Sequence, residues 1–265
     1  MANLASPIPV KGTQPEGAHT EPDASRKVRE MFTQIAPRYD LLNHLLSLDL
    51  DRLWRKRAAR RLRPILEHRD ALVLDLCCGT GDLTLALARV GPAGIVGADF
   101  SHAMLVRARA KSAKRRRVPS HAGLTGPPFP FFEADALRLP FADRSFDLIT
   151  TAFGFRNLAN YEAGLCEMQR ILKPGGTVAI LEFTEPPEGF LGNVYRWYFR
   201  SVLPLIGGFL SGHSAAYSYL PKSVSRFFRP PELATLMTSV GYSSVDFKVW
   251  TFGTVAFHTA VRPPR

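Results

Sequence analysis

The sequence predicts an α/β fold, an open and mostly parallel sheet with helices on both faces. Between Val73 and Phe183 short apolar runs alternate with helical stretches, the order that builds parallel strands joined by crossover helices. The first run passes into a glycine turn, Leu74-Asp75-Leu76-Cys77-Cys78-Gly79-Thr80-Gly81-Asp82-Leu83. The second ends on Asp99, twenty residues beyond Gly79. With 265 residues, 46% of them apolar, the chain suits one such domain with extensions and can bury a sizeable core.

Residues 1–25 carry Pro7, Pro9, Pro15 and Pro22 and no apolar run of signal-peptide length, so they read as a disordered tail. From 26 to 66 the pattern is helical: Val28, Met31, Phe32 and Ile35 recur at spacings of three and four, Pro37 separates the first helix from the second, and Pro64 limits the third. Strands are expected at Val73–Leu76, Ile95–Ala98, Phe131–Glu133, Phe146–Thr151 and Val178–Phe183. Helices are expected near Asp82–Arg89, His102–Lys111 and Tyr161–Leu172. Ser101 is placed to cap the second of these, and Lys173-Pro174-Gly175-Gly176 to close the third. Residues 112–130 form an Arg-rich, then Pro/Gly-rich loop. Residues 184–229 form an aromatic insertion, a lid or substrate segment. A helix at Pro231–Val240 and strands at Val245–Val249 and Thr254–Val261, parted by a turn at Gly253, bring the sheet to seven strands.

The formal charge of +11 attracts phosphate-bearing partners, nucleic acid or an anionic membrane surface, unless it is a solvated basic face. Arg52, Arg55, Lys56, Arg57, Arg60, Arg61 and Arg63 fall in one predicted helix, and a second basic run spans Arg107 to Arg117. Three cysteines, Cys77, Cys78 and Cys166, build no disulfide framework, which fits a reducing cytoplasm. The most lipophilic run, Val202–Leu210, is too short to span a bilayer. Membrane contact is therefore expected to be peripheral, at the inner face.

Gly79 and Gly81 let the backbone pass close under a ligand at the carboxyl edge of the sheet, a Rossmann-like arrangement. Asp99 is placed to accept from both hydroxyls of a ribose. Charge then selects the nucleoside. A pyrophosphate wants an uncluttered helix N-terminus, whereas Asp75 and Asp82 bracket this turn and Thr84 stands at the third glycine position. Carboxylates there suit a ligand bearing an ammonium and a sulfonium, S-adenosylmethionine. Asp135 and Ala136 follow the third strand, where they would meet the adenine. Thr151-Ala152-Phe153-Gly154-Phe155-Arg156-Asn157 ends the fourth and should line the acceptor side, with Arg156 and Asn157 as donors to a phenolate oxygen. The acid-or-amide, double-proline and aromatic motif of amino-methylating DNA enzymes is missing, which argues against nucleic acid as acceptor.

These segments together resemble the ubiquinone/menaquinone biosynthesis C-methyltransferase family. The resemblance runs from about Val28 to Val261 and includes Arg38-Tyr39-Asp40, Leu53-Trp54-Arg55, Gly97-Ala98-Asp99-Phe100-Ser101, the Phe153–Asn157 run, Tyr217-Ser218-Tyr219-Leu220 and Ala256-Phe257-His258. It implies a class I methyltransferase fold and C-methylation of a polyprenyl quinol, demethylmenaquinol before a benzoquinol. It implies that Thr80, Asp99, Asp135 and Ala136 hold the donor, and that Arg156, Asn157 and Tyr39 stand near the quinol; Phe100 and Ala152 are expected to line the donor site beside them. Departures from the family pattern are Asp51 in place of a histidine, His213 in place of an aspartate, Lys222 in place of a glutamate and Ala152 in place of a serine.

Such chemistry asks the protein to align carbon and methyl, exclude water and stabilise an anion. No metal is expected, since the seven histidines show no ligand spacing. A water or Tyr39, positioned by Arg156 and Asn157, is expected to take the phenolic proton, ahead of His213 and His258. The stretch from Phe190 to Leu203 is expected either to meet the membrane or to close as a lid. A homodimer is compatible with this reading. The competing readings are a methyltransferase of another small molecule or of RNA, and a donor-binding protein without catalysis.

Overall fold

In the computed structural model, residues 12–114, 129–185 and 214–264 are described, with single positions at 189, 197 and 201. Seven strands lie in the order β3-β2-β1-β4-β5-β7-β6. They are β1 Leu72–Leu76, β2 Gly94–Asp99, β3 Phe131–Glu133, β4 Phe146–Ala152, β5 Leu172–Phe183, β6 Ser243–Trp250 and β7 Val255–Val261. Strands β3 to β5 pair in parallel, and β7 runs antiparallel to both β5 and β6. Helices among the described residues are α1 Glu21–Ile35, α2 Tyr39–Leu46, α3 Leu50–Arg61, α4 Arg63–Leu66, α5 Asp82–Leu87, α6 His102–Ala113, α7 Tyr161–Ile171, α8 Ser214–Arg226 and α9 Pro230–Ser239.

Because side chains alternate along a strand, β1 feeds two cores. Val73 packs with Trp54, Leu62, Leu83, Leu87 and Leu105, which brings α3, α5 and α6 onto one face. Leu74 and Leu76 pack with Leu165, Met168, Leu233 and Met237 from α7 and α9 on the other. A parallel sheet covered on both sides reads as near-continuous apolar runs, which is why β1 and β4 were visible in the sequence. Strand order reverses between β1 and β4, so a crevice opens beyond their carboxyl ends.

Residues 12–25 of the expected tail are ordered. Thr20 accepts from the Asp23 N–H at 3.3 Å and Pro22 sits in the first turn, so α1 starts at Glu21. Ahead of it Thr13 is buried, its N–H donating to the Leu158 carbonyl at 2.7 Å. Residues 1–11 lie outside the described residues.

Lys173-Pro174-Gly175-Gly176 does not close a helix either. α7 ends at Ile171, where Leu172 turns extended, and the four residues bulge within β5 between the pairs Phe146–Leu172 and Leu148–Thr177. Gly175, at φ +79°, supplies the left-handed residue that this bulge requires, and its N–H donates to the Arg262 carbonyl at 2.9 Å. Ser101 occupies the N-cap position of α6 without capping it; its hydroxyl pairs with Thr33 at 3.2 Å and ties α1 to α6.

Of the expected loop 112–130, residues 112 and 113 finish α6, and 115–128 lie outside the described residues. The expected lid falls outside them over most of 186–213, His213 included, while α8 occupies Ser214–Arg226. No helix among the described residues is long and apolar enough to cross a membrane.

Candidate active site

Beyond the carboxyl ends of β1, β2 and β4 lies a cleft that opens to solvent, the place where open α/β sheets bind their ligands. Phe32 and Tyr39 come from the N-terminal helices, Cys77 and Gly79 from the first turn, and Asp99 and Phe100 from the end of β2. Asp135 and Ala136 follow β3, and Ala152, Phe153 and Asn157 follow β4. Residues distant in sequence meet here because every parallel strand delivers its carboxyl end to one edge.

Asp99 is the best-defined polar group of this wall. Its Oδ2 accepts the Gly79 N–H at 2.8 Å and its Oδ1 the Ser101 N–H at 2.9 Å. An ionised carboxylate has about four acceptor positions. Two remain for a vicinal diol, so the residue fits a ribose. Burial pushes its pKa up to about 6 against those backbone bonds. Asp135 uses one oxygen on the Leu137 N–H at 2.9 Å, which fixes the loop carrying Ala136.

Three residues expected at the donor do not line this cavity. Gly81, at φ +83°, lies off the cavity, and a side chain there would press on Ala108 of α6 and Phe131. Thr80 is buried, donates to Asp40 and accepts from Lys111 at 3.0 Å. Asp75 is fully buried, accepts from Thr84 at 2.5 Å, and is raised to about 7 by burial.

Thr80 and Asp75 line instead a smaller polar hollow with Arg55 and Asp82. It shares Tyr39, Cys77, Gly79 and Ala152 with the main cavity. The two acids expected to stand free beside the glycine turn are therefore committed, Asp75 to Thr84 and Asp82 to Lys111 at 2.6 Å. The acids that face the larger cavity are Asp99 and Asp135.

Asp51, the departure noted at the start of α3, is satisfied locally: it accepts from Ser47 at 2.8 Å and pairs with His44 and Arg55. His44, Asp49 and Asp51 bring ligand-type atoms within 4.8 Å of one another, but Arg55 already neutralises the central carboxylate. Asp51, hydrogen-bonded to His44 and Ser47 and ion-paired with Arg55, fastens α2 to α3.

On the acceptor side, Arg156 is not presented to the cavity as expected. It is 5% exposed and paired at 2.7 Å with Glu182, itself 1% exposed. It also donates to the Phe153 carbonyl and lies 5.4 Å over the Phe183 ring. Asn157 does line the cavity. Its Oδ1 accepts from the Tyr219 hydroxyl at 2.9 Å, and that hydroxyl pairs with Thr13 Oγ1 at 2.7 Å. The amide oxygen is thus occupied, and the NH₂ group, which gives one hydrogen to the Phe153 carbonyl at 3.4 Å, keeps the other for an acceptor molecule.

Tyr219 was legible only as part of a family motif, and Thr13 not at all, because each acts across a gap that no local pattern spans. Tyr219→Phe removes the bond that orients Asn157, which is worth about 1 kcal/mol. Turnover is expected to fall about five- to tenfold with donor affinity unchanged. Steady-state kinetics beside donor titration checks this, and undiminished turnover would remove the relay from the site.

Tyr39 spans both hollows. Burial raises its pKa, while Arg55 and a hydrogen bond with Asn43 act in the opposite direction. Its phenol is protonated at neutral pH, a donor where the sequence suggested a base. His258 is buried in β7, bonded through Nε2 to the Pro230 carbonyl at 2.9 Å and lowered to about 4 by burial, a core histidine remote from the cavity lining.

A sheet in the order β3-β2-β1-β4-β5-β7-β6 with β7 antiparallel, and an acid at the end of β2 facing the cavity at the topological switch point, has the fold of the class I S-adenosylmethionine-dependent methyltransferases. Solved structures share this fold. A SAM-dependent methyltransferase of Thermotoga maritima matches with a TM-score of 0.58 and 18% identity, over 89% of this chain and 99% of that one. One of Aquifex aeolicus matches with 0.51 and 18%, over 74% and 84%.

The chain belongs to the ubiE/COQ5 methyltransferase family, which it matches over residues 20–262. It is 49% identical to a demethylmenaquinone methyltransferase of Thermus thermophilus, over 88% of this chain and all of that protein. It is 41% identical to the ubiquinone/menaquinone biosynthesis C-methyltransferase UbiE of Geobacter sulfurreducens, over 89% of each. Thr13 stands ahead of the family match, so the outer end of the Asn157 relay lies outside the matched residues.

Proposed function

We propose that this enzyme C-methylates the ring of demethylmenaquinol to give menaquinol. The observation that carries the reading is a single cavity in which a diol-fitting carboxylate, Asp99, faces an aromatic wall of Phe32, Tyr39, Phe100 and Phe153 with the oriented amide of Asn157. The names of the relatives, demethylmenaquinone methyltransferases among them, supply the substrate class.

Asp99 would hold the ribose and the Asp135–Ala136 loop the adenine. The polar hollow, with Asp82 and Arg55 of opposite sign, suits the amino-acid end. When bound, S-adenosylmethionine supplies an electrophilic sulfonium methyl, whose bond to sulfur breaks as the new carbon–carbon bond forms. The chain's own residues do the rest. The aromatic wall takes the flat ring and excludes water. Tyr39 O–H and the Asn157 NH₂ donate to the oxygen as the quinol hydroxyl gives its proton to a single water at the open mouth of the cavity, concentrating charge on the ring carbon. Loss of the ring proton afterwards restores aromaticity. Because the prenyl tail is apolar, the enzyme works in the cytoplasm at a membrane surface.

The test is transfer of labelled methyl by the purified chain to demethylmenaquinol, to a demethylated benzoquinol, or to RNA. Label is expected on the naphthoquinol ring carbon. Transfer to RNA, or binding of donor without transfer to any acceptor, would overturn the reading, and preference for the benzoquinol would move the enzyme to ubiquinone synthesis.

A further inference from the structure

We infer that the protein docks on an anionic lipid bilayer through the outer face of α3, the α2–α3 turn and the β6–β7 turn. The purpose of such docking rests on the lipid-borne acceptor proposed above; the docking itself is measurable without any acceptor.

The exposed charges of α3 are all positive. α3 buries Trp54, Ala58 and Ala59 against the sheet and exposes Arg52, Leu53, Lys56, Arg57, Arg60 and Arg61. Asp49 pairs with Arg52 at 3.3 Å, but among the described residues no carboxylate pairs with Lys56, Arg60 or Arg61. Such a row of cations has a phosphate-bearing surface as its complement.

Beside this row stand large apolar side chains that the fold leaves in water. Leu48 and Phe252 are each 74% exposed, and Leu41 and Leu53 are exposed too. Leu48 and Phe252 sit at φ +52° and +55°, where glycine or asparagine is expected and a bulky residue is uncommon. The backbone thus holds the two most exposed large apolar groups among the described residues outward in a conformation they disfavour.

These pieces are neighbours. Trp54 Nε1 donates to Thr251 Oγ1 at 2.8 Å and Arg57 lies 4.7 Å over the Trp250 ring, so the β6–β7 turn is clamped to α3. His44 and Asp51, 2.9 Å apart, hold α2 beside it. The register Phe183–Val255–Trp250 sets that turn at the carboxyl edge of the sheet, the edge that bears the cavity, and Tyr39 at the start of α2 lines the cavity itself. A bilayer touching this face lies alongside the site.

Nucleic acid would use the cations, but exposed leucines and a phenylalanine offer nothing to phosphates. Apolar groups ringed by lysine and arginine match the boundary between headgroups and acyl chains.

The test is flotation of the full chain with vesicles of phosphatidylcholine alone or mixed with phosphatidylglycerol. Binding is expected only to the anionic vesicles and is expected to weaken with salt. Each surface-proximal cation contributes about fivefold, so Lys56→Gln/Arg60→Gln should weaken binding about twenty- to thirtyfold. Leu48→Asn and Phe252→Asn should also weaken it while Tm holds or rises, because asparagine accepts positive φ; a merely structural role predicts a fall in Tm. All variants should keep their turnover of a short-tailed soluble quinol and show a raised KM for vesicle-borne quinol. Equal binding to neutral vesicles, insensitivity to these substitutions, or capture of labelled RNA in place of vesicles by the same cations would overturn the proposal. Vesicle binding that depends on these residues, without methylation of any quinol, would leave docking standing and remove the acceptor.

Discussion

Asp99→Asn weakens binding of S-adenosylmethionine about ten- to a hundredfold, the loss expected when charge-assisted bonds worth about 1.5–3 kcal/mol disappear. Calorimetric titration reads it directly. The melting temperature should shift little, because two effects oppose. The amide serves only one of the two backbone N–H groups that the carboxylate accepts from, but a buried charge is removed with it.

The same carboxyl predicts a pH dependence. Its folded pKa, about 6, lies above the unfolded value near 3.8. The folded protein therefore gains protons first, and this group's contribution to stability is full below the unfolded value and is lost as pH rises towards 6. Donor binding runs the other way, since the ribose hydroxyls need the ionised form. Kd should rise about tenfold per unit as pH falls below about 6, with proton release on binding near that pH. An affinity flat across this range would take Asp99 away from the ribose.

How far the sequence could be read depends on whether a feature is local. The parallel strands were legible because burial on both faces makes them continuous apolar runs, and their carboxyl ends pointed to Asp99, Asp135, Ala152 and Asn157. The burial of Asp75 was in principle legible too: alternation in β1 turns it to the face opposite Leu74 and Leu76, beneath α5, where Thr84 meets it. Gly81 shows the opposite limit, because a positive-φ glycine in a ligand-type motif answers equally to a ligand or to a helix packed against it. The partners of Arg156 and Asn157 could not be read. Glu182 becomes a neighbour only because β5 pairs with β4, and Tyr219 only because α8 returns over the Phe155–Asn157 turn. The bulge at Lys173–Gly176 was hidden for the same reason, since what stabilises it is the edge of β7.

Arg156→Met separates a structural arginine from one that faces substrate. With Glu182 left buried and unpaired, the single variant is expected to lose about 3–5 kcal/mol, a fall in Tm of roughly 6–20 °C for a domain of this size. Arg156→Met/Glu182→Gln leaves no buried charge, and the glutamine oxygen can still accept the Arg156-position N–H that Glu182 holds at 3.1 Å. Most of the lost stability should return. Turnover should not. Arg156 also donates to the Phe153 carbonyl, the oxygen to which the Asn157 amide donates at 3.4 Å, so without the guanidinium the amide is free to turn towards that carbonyl and away from the acceptor. A stable double variant with normal donor affinity, low turnover and a raised acceptor KM is the result that makes Arg156 a positioning residue. Full recovery of turnover would leave it a purely structural partner of Glu182. A single variant that lost turnover while keeping its stability would return the guanidinium to the quinol oxygen, against the ion pair that buries it here.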